Sequence, residues 1–274
     1  MRPPLPLWID AHTHLFPARL ATAIRSFFLQ QLPGAGDWDP FPYSTDVATC
    51  IDALRTAGVS QCWTLPYVRR PGAAAALNRW MAETFGDSDF VIPGATVHPG
   101  DDVAAVTAEA LGGLGLRIVK LHCSVGDFDA DDPRLSPLYE RVSREGQPVV
   151  VHVGHSVHGT TEVSELAPLV RAAKRFPDVR FVLAHLGAPA VREGLELLAS
   201  HRSVHADLTP VVFEAAVISR ASIRGLEDRL LFGSDMPTVM MSLEAQRAHW
   251  KALELAPEHA AQIFGLNARR LISP

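Results

Sequence analysis

The sequence is short of several things, and each shortage narrows what the chain can do. Its three cysteines, Cys50, Cys62 and Cys123, lie far apart in 274 residues and form no CxxC pair. That pattern fits neither a disulfide framework nor a zinc knuckle, and reads as buried thiols in a reducing compartment. Basic charge is not in excess: the net charge is −5 and no Lys/Arg tract occurs, which argues against nucleic acid as a partner. No run of ~18 uncharged apolar residues appears, so no membrane span is expected. The opening MRPPLPLWIDAHTH lacks a charged segment followed by a long apolar one, so no secretory signal is expected and a cytoplasmic location is. No glycine fingerprint follows the first apolar run, where a doubly wound dinucleotide-binding sheet would carry one. No internal repeat stands out.

What is present is periodic. Apolar residues make up 47% of the chain, enough for a large core. Short apolar runs recur at Leu7–Asp10, Gln61–Leu65, Val91–Val97, Ile118–His122, Val149–His152, Arg180–Ala184, Val204–Asp207 and Leu230–Ser234. Between them lie stretches with helical spacing, among them Val47–Ala57, Ala73–Thr84, Asp102–Leu114, Leu135–Arg144, Ser164–Arg175, Ala190–Ala199 and Leu243–Leu253. Strand–helix alternation predicts a parallel sheet, and eight repeats predict closure into a single-domain α/β (β/α)8 TIM barrel over 1–274. An insertion at about 15–43, with a helix around Ala18–Gln31 and a Pro/Gly-rich turn, follows the first strand and suits part of a lid. Packing is the simpler reading for most of its aromatics. The C-terminal HAAQIFGLNARRLISP reads as a closing helix pair over the barrel exterior.

Twelve histidines are present, and histidine is both the commonest metal ligand and a frequent acid or base. Several end the apolar runs, on the face where barrel enzymes assemble their sites. His12 and His14 follow strand one, two residues apart, and alternation puts both on one side of an extended chain. His152 ends VVVH, His185 ends FVLAH, and Asp235 follows LLFGS. An imidazole or carboxylate at such a place needs a partner. Each singly has an ordinary reading, as a hydrogen-bonded core histidine or a helix-capping Asp; jointly they point to a metal site. Ile118, Lys120 and His122 alternate onto one face, so Lys120 either points inward with His122 or snorkels to the mouth. His98 is a site-lining or a turn histidine. His155 and His158, in the loop after the fifth strand, either touch substrate or face solvent. Arg69 or Arg70 could meet a substrate carboxylate, and Asp207 could orient a ligand histidine from behind. His201, His249 and His259 fall in exterior helical stretches.

The ordered set HTH, KLH, VVVH, LAHLG and FGSDMP resembles the amidohydrolase superfamily, more narrowly the single-domain amidohydrolase-2 group that includes aminocarboxymuconate-semialdehyde decarboxylase. Phe264–Leu271, FGLNARRL, is similar to that group's closing helix, and the resemblance runs from Ile9 to Leu271. It implies His12, His14, His152 and Asp235 as metal ligands. His185 would be a base or polarising group beside the metal, or a ligand of a second ion. Lys120 stands where some superfamily members carry a carboxylated, metal-bridging lysine. Asp235 and His185 are then the catalytic pair, with Lys120, His122, His155 and Arg69 toward substrate. Three nitrogens and one carboxylate suit one Zn2+ and tolerate Mn2+, Fe2+ or Co2+. The expected activity is hydrolysis of a small organic acid, amide or lactone by metal-activated water. The alternatives are non-oxidative decarboxylation of an unsaturated or aromatic acid, and a metal-free barrel that merely binds a small acid. A small molecule is the expected partner, with homodimerisation left open.

Overall fold

A computed structural model describes residues 7–31, 40–153, 162–216 and 218–273. The strands are β1 (Ile9–Thr13), β2 (Gln61–Thr64), β3 (Val91–Pro93), β4 (Ala95–Thr96), β5 (Val119–His122), β6 (Val149–His152), β7 (Phe181–Leu183), β8 (Val204–Leu208) and β9 (Leu230–Phe232). All neighbouring pairs are parallel. The third apolar run, expected as one strand, is two. Gly94 breaks it: its N–H donates to Thr64 O at 2.9 Å, whereas the Ala95 N–H donates to Ile118 O at 2.7 Å. The chain thus leaves one neighbour for the next within a residue. A Cβ at Gly94 would lie 3.0 Å from the Thr64 carbonyl oxygen, so a side chain there would crowd the approach.

β3 and β4 share one barrel position, which leaves eight. Closure comes from a parallel bridge between Thr13 and Met236, just past β9. The His14 N–H donates to Met236 O at 2.7 Å and the Asp235 N–H to His12 O at 2.8 Å. The chain therefore adopts the expected (β/α)8 barrel. Crossover helices begin and end on ordinary signals. In Val47–Ala57 the Asp46 carboxylate accepts from the Thr49 N–H at 2.9 Å, and Gly58 ends the helix at φ 94°.

Two apolar layers hold the barrel. Outside the strands, Leu54, Met81, Leu138, Leu169, Leu197 and Trp250 belong to the core beneath the helices. Inside, Ile9, Trp63, Ile118, Val150, Val182 and Leu231 fill the lumen. The C-terminal segment corrects its expectation. Pro257–Ala261, Gln262–Leu266 and Asn267–Ile272 run on as successive helical turns rather than a pair of helices. Ala268 and Leu271 join the lumen cluster, so the segment plugs an end of the barrel instead of lying on its exterior. Asn267 Nδ2 donates to Glu227 O and Leu230 O, each at 2.8 Å, which fixes the plug at the start of β9.

The insertion packs down. The Arg25 guanidinium donates to the carbonyls of Tyr43 at 2.9 Å, Phe41 at 3.1 Å and Pro237 at 3.4 Å. Tyr43 Oη accepts from the Leu243 N–H. Phe41 is buried, whereas Phe27 is exposed. Trp38 and the Pro/Gly-rich turn lie outside the described residues. Among those residues no helix is long and apolar enough to cross a membrane.

Candidate metal centre

At the C-terminal end of the barrel the side chains change character. β1 loses regular pairing with β2 between Asp10 and Thr13, and such irregularities re-aim side chains at a barrel rim. His12 is wholly buried and lies tight against β9: a Cβ at Gly233 would sit 2.7 Å from His12 Cβ. Only glycine at 233 leaves room for that ring. Asp10, also buried, accepts through one oxygen from the His12 N–H at 3.1 Å and the Ser234 N–H at 3.0 Å. It staples β1 to the segment that carries Asp235.

The ligating atoms converge. His12 Nε2 lies 3.1 Å from His14 Nε2, and Asp235 Oδ1 lies 3.3 Å from His14 Nε2 and 3.7 Å from His12 Nε2. The other ring nitrogens are already committed. His12 Nδ1 lies 2.8 Å from Asp207 Oδ2, and His14 Nδ1 lies 2.8 Å from Leu65 O. A carbonyl and a carboxylate can only accept, so both Nδ1 atoms carry the hydrogen and both Nε2 atoms present lone pairs. Two lone pairs facing one another beside a carboxylate need a positive charge between them. A divalent ion supplies it, and imidazole with carboxylate is a donor set for zinc or manganese. His12, His14 and Asp235 could thus hold a metal ion. His12, His185 and Asp207 form a second close group, but Asp207 is there as the partner behind the His12 ring.

The remaining residues surround this trio. His152 is buried but joins neither close group; its ring stacks on His122 at 3.8 Å and stands edge-on to His185 at 5.1 Å. The stack follows from register, because His122 and His152 are direct partners across β5 and β6. Lys120 does not snorkel. It is fully buried with Nζ 3.4 Å from His12 Nε2, and burial pushes its pKa down to about 8 against the pull of Asp207 and Asp235. Burial likewise lowers His12 and His122 well below the ordinary imidazole value, and takes His185 to about 4. Burial opposes ionisation of Asp235, but the imidazoles around it, His14 first and then His185 and His12, hold its pKa below the ordinary value.

Backbone strain concentrates here. His185 (φ 57°), Leu186 (φ 49°) and Asp235 (φ 59°) occupy the left-handed region without being glycine. Such conformations persist only where neighbours enforce them. For His185 the enforcement is visible: its N–H donates to Asp207 Oδ1 at 2.8 Å, and its Nδ1 lies 2.6 Å from Thr209 Oγ1.

Other expectations separate. His98 is a turn residue: its Nε2 donates to Gly126 O at 3.0 Å and its Nδ1 accepts from the Gly100 N–H at 3.0 Å. Arg69 and Arg70 are exposed, and no ion pair among the described residues ties either to the cluster. His155 and His158 lie outside the described residues. Sequence reasoning missed Tyr67, whose ring contacts His14 at 5.3 Å, His122 at 4.7 Å and Phe16 at 5.1 Å. Its position in LPYVRRPG, just beyond β2, was the available signal, but the arginines drew attention instead. Thr209 was missed too, since a threonine after a strand carries no signal of its own.

The comparisons with known proteins bear on the family and the fold. The Amidohydro_2 family model, described as amidohydrolase, matches residues 9–273. A search of curated proteins gives no match. Among solved structures, an uncharacterised TIM-barrel protein from Bordetella bronchiseptica superposes with TM-score 0.75 at 23% identity, covering 96% of this chain and 97% of that one. A 5-carboxyvanillate decarboxylase from Novosphingobium aromaticivorans, complexed with manganese and a nitrobenzoic acid, gives 0.70 at 16% identity, covering 97% and 96%. A probable 2-pyrone-4,6-dicarboxylic acid hydrolase from Acinetobacter baumannii gives 0.66 at 17%, covering 97% and 98%. The chain belongs to the amidohydrolase family of the amidohydrolase-2 type.

Proposed function

We propose that this amidohydrolase-family barrel is a metal-dependent hydrolase of a small organic acid, amide or lactone, with one divalent ion. The observation that carries the reading is the meeting of His12 Nε2, His14 Nε2 and Asp235 Oδ1 within 3.7 Å, with both Nδ1 atoms committed elsewhere. His152 is the fourth proposed ligand, from the next wall of the site. When bound, such an ion lowers the pKa of a coordinated water to ~7 and polarises the reacting group of the substrate. The chain's own groups do the rest. Asp235, held ionised, takes a proton from the attacking water and can pass it to the leaving group. His185 faces the same space and acts on the substrate's oxygen. Lys120 is the buried positive charge that an anionic substrate meets, and His122 with Tyr67 forms the wall beside it. Arg69 and His155 are proposed to contribute to substrate binding.

Decarboxylation is the second reading. A similar fold serves a manganese-complexed decarboxylase, and the same group set could deliver a proton to a carbon that loses CO2. One experiment separates the readings. Protein purified without chelator, with zinc or manganese reloaded, is offered lactones, amides and unsaturated or aromatic acids. Acid release from lactone or amide without CO2 is the expected result. CO2 release with no hydrolytic product selects the decarboxylase. Binding of less than about a tenth of an equivalent of metal removes both, because the convergence of donors would then hold nothing.

A further inference from the structure

The C-terminal end of β8 contacts two imidazoles of the site through residues two apart. Asp207 Oδ2 lies 2.8 Å from His12 Nδ1, and Thr209 Oγ1 lies 2.6 Å from His185 Nδ1. Their chemistry differs. A carboxylate only accepts, so it places the hydrogen of His12 on Nδ1 and bares Nε2. A hydroxyl can donate or accept, and its surroundings decide which. Thr209 is wholly buried. It precedes the helix Pro210–Ala215, yet its side chain makes no capping bond to that helix. Among the described residues, its hydroxyl has no hydrogen-bond partner other than His185 Nδ1. Had the imidazole donated to Oγ1, the hydroxyl hydrogen would be buried with no acceptor, an arrangement that folded proteins avoid. The hydroxyl therefore donates, and a neutral His185 carries its hydrogen on Nε2.

We infer that Thr209 is a positioning residue that fixes His185 as the Nε2–H tautomer, opposite to the tautomer that Asp207 imposes on His12. One strand end thus makes one histidine a lone-pair ligand and its neighbour a hydrogen-bond donor. The two rings are stacked 4.8 Å apart, so the donor stands beside the proposed metal site. His185 then serves by donating Nε2–H to an oxygen of the substrate, a carbonyl or carboxylate, and not as ligand to a second ion, which would need that nitrogen bare. The consequence for substrate rests on the proposed function; the tautomer does not.

The test reads the tautomer directly. Protein labelled with 15N-histidine is studied by long-range 1H–15N correlation at neutral pH, metal-stripped and zinc-loaded, with His185→Gln assigning the signal. The expected result is a His185 ring with Nδ1 unprotonated and hydrogen-bonded and Nε2 protonated, in both forms. A protonated Nδ1 in the wild type overturns the inference without any variant. Thr209→Val should shift His185 toward the other tautomer, and Thr209→Ser should restore it; an unchanged tautomer in Thr209→Val also overturns the assignment. On a substrate identified by the panel above, Thr209→Val should lower kcat by ~10–100-fold, with bound metal unchanged and Thr209→Ser active. If no metal binds and no substrate turns over while the wild-type tautomer is as expected, the proposed function fails and the role of Thr209 on the ring stands.

Discussion

The two ends of this barrel are built from the same strands to opposite specifications. At the N-terminal end the lumen holds Ile9, Ile118, Val150, Val182 and Leu231, closed by Ala268 and Leu271 of the final helix. Two or three residues further on, β1, β5 and β6 offer His12, Lys120 and His152, and β8 adds Asp207, all buried. On β6 the change takes two residues, from Val150 to His152. The apolar end needs only volume, and its residues occupy ordinary backbone conformations. The polar end needs partners for every nitrogen and oxygen, and there the chain accepts left-handed φ at His185, Leu186 and Asp235. Stability and chemistry are thereby separated along the barrel axis, a division open to direct attack from either side.

The largest effect should come from the polar end. Asp235→Asn keeps the side-chain shape, and asparagine tolerates the left-handed backbone that residue 235 requires. It removes the charge that faces His12 and His14. Metal affinity should fall by ~100-fold or more, equivalent to ~3 kcal/mol of binding, whereas the metal-stripped variant should still unfold in one cooperative transition. Elemental analysis after reloading, with denaturant unfolding in chelator, reads both. A variant that keeps its metal would show that the carboxylate is not a ligand.

Leu271→Ala attacks the other end. Leu271 is 3% exposed and seals the lumen. Its truncation should cost ~2–4 kcal/mol through lost burial and a cavity, while zinc still binds at wild-type stoichiometry below the unfolding transition. If metal affinity falls together with stability, the two ends are coupled and the division proposed above is wrong.

How much of this was legible in the sequence follows from the same contrast. Strands such as VVVH and LLF announce themselves by composition, because the apolar lumen tolerates few alternatives, and the eightfold rhythm gave the barrel. The exception was Val91–Val97, where Gly94 splits one run between two neighbours by backbone geometry that composition does not display. At the site, His12, His14 and Asp235 stood out because charged or ionisable groups at the ends of apolar runs need a reason. Residues that act through others gave no such signal: Thr209 and Tyr67 matter for the rings they touch across the barrel. The closing helix was recognisable as a helix, but its place in the barrel's end depends on Ala268 and Leu271 meeting the lumen. Arg69 shows the converse, a residue type suited to an acid substrate that stands exposed.

The last prediction tests whether the apolar end tolerates an ionisable group. His205 lies near the start of β8, away from the metal donors, and is 8% exposed. Its Nδ1 lies 3.3 Å from Ser203 O. Burial pushes its pKa from the ordinary 6.5 down to about 4; the Ser203 carbonyl and Asp228 pull it upward, and Arg270 and Arg229 reinforce the fall. The unfolded chain therefore takes up a proton near pH 6.5, whereas the folded chain refuses it until about pH 4. Stability from this group is fully present above pH 6.5 and is lost as pH falls through that window, to a limit of ~3 kcal/mol. His12, His122 and His185 are depressed as well, so the absolute curve of the wild type mixes them. The difference between metal-stripped wild type and His205→Gln isolates the one residue. Unfolding free energies of the two proteins should differ by a constant above pH 6.5 and converge or cross as the pH drops, because only the wild type carries this penalty. Parallel curves through the window would mean that His205 takes its proton in the folded state as readily as in the unfolded one, and that the end built for packing also accommodates charge.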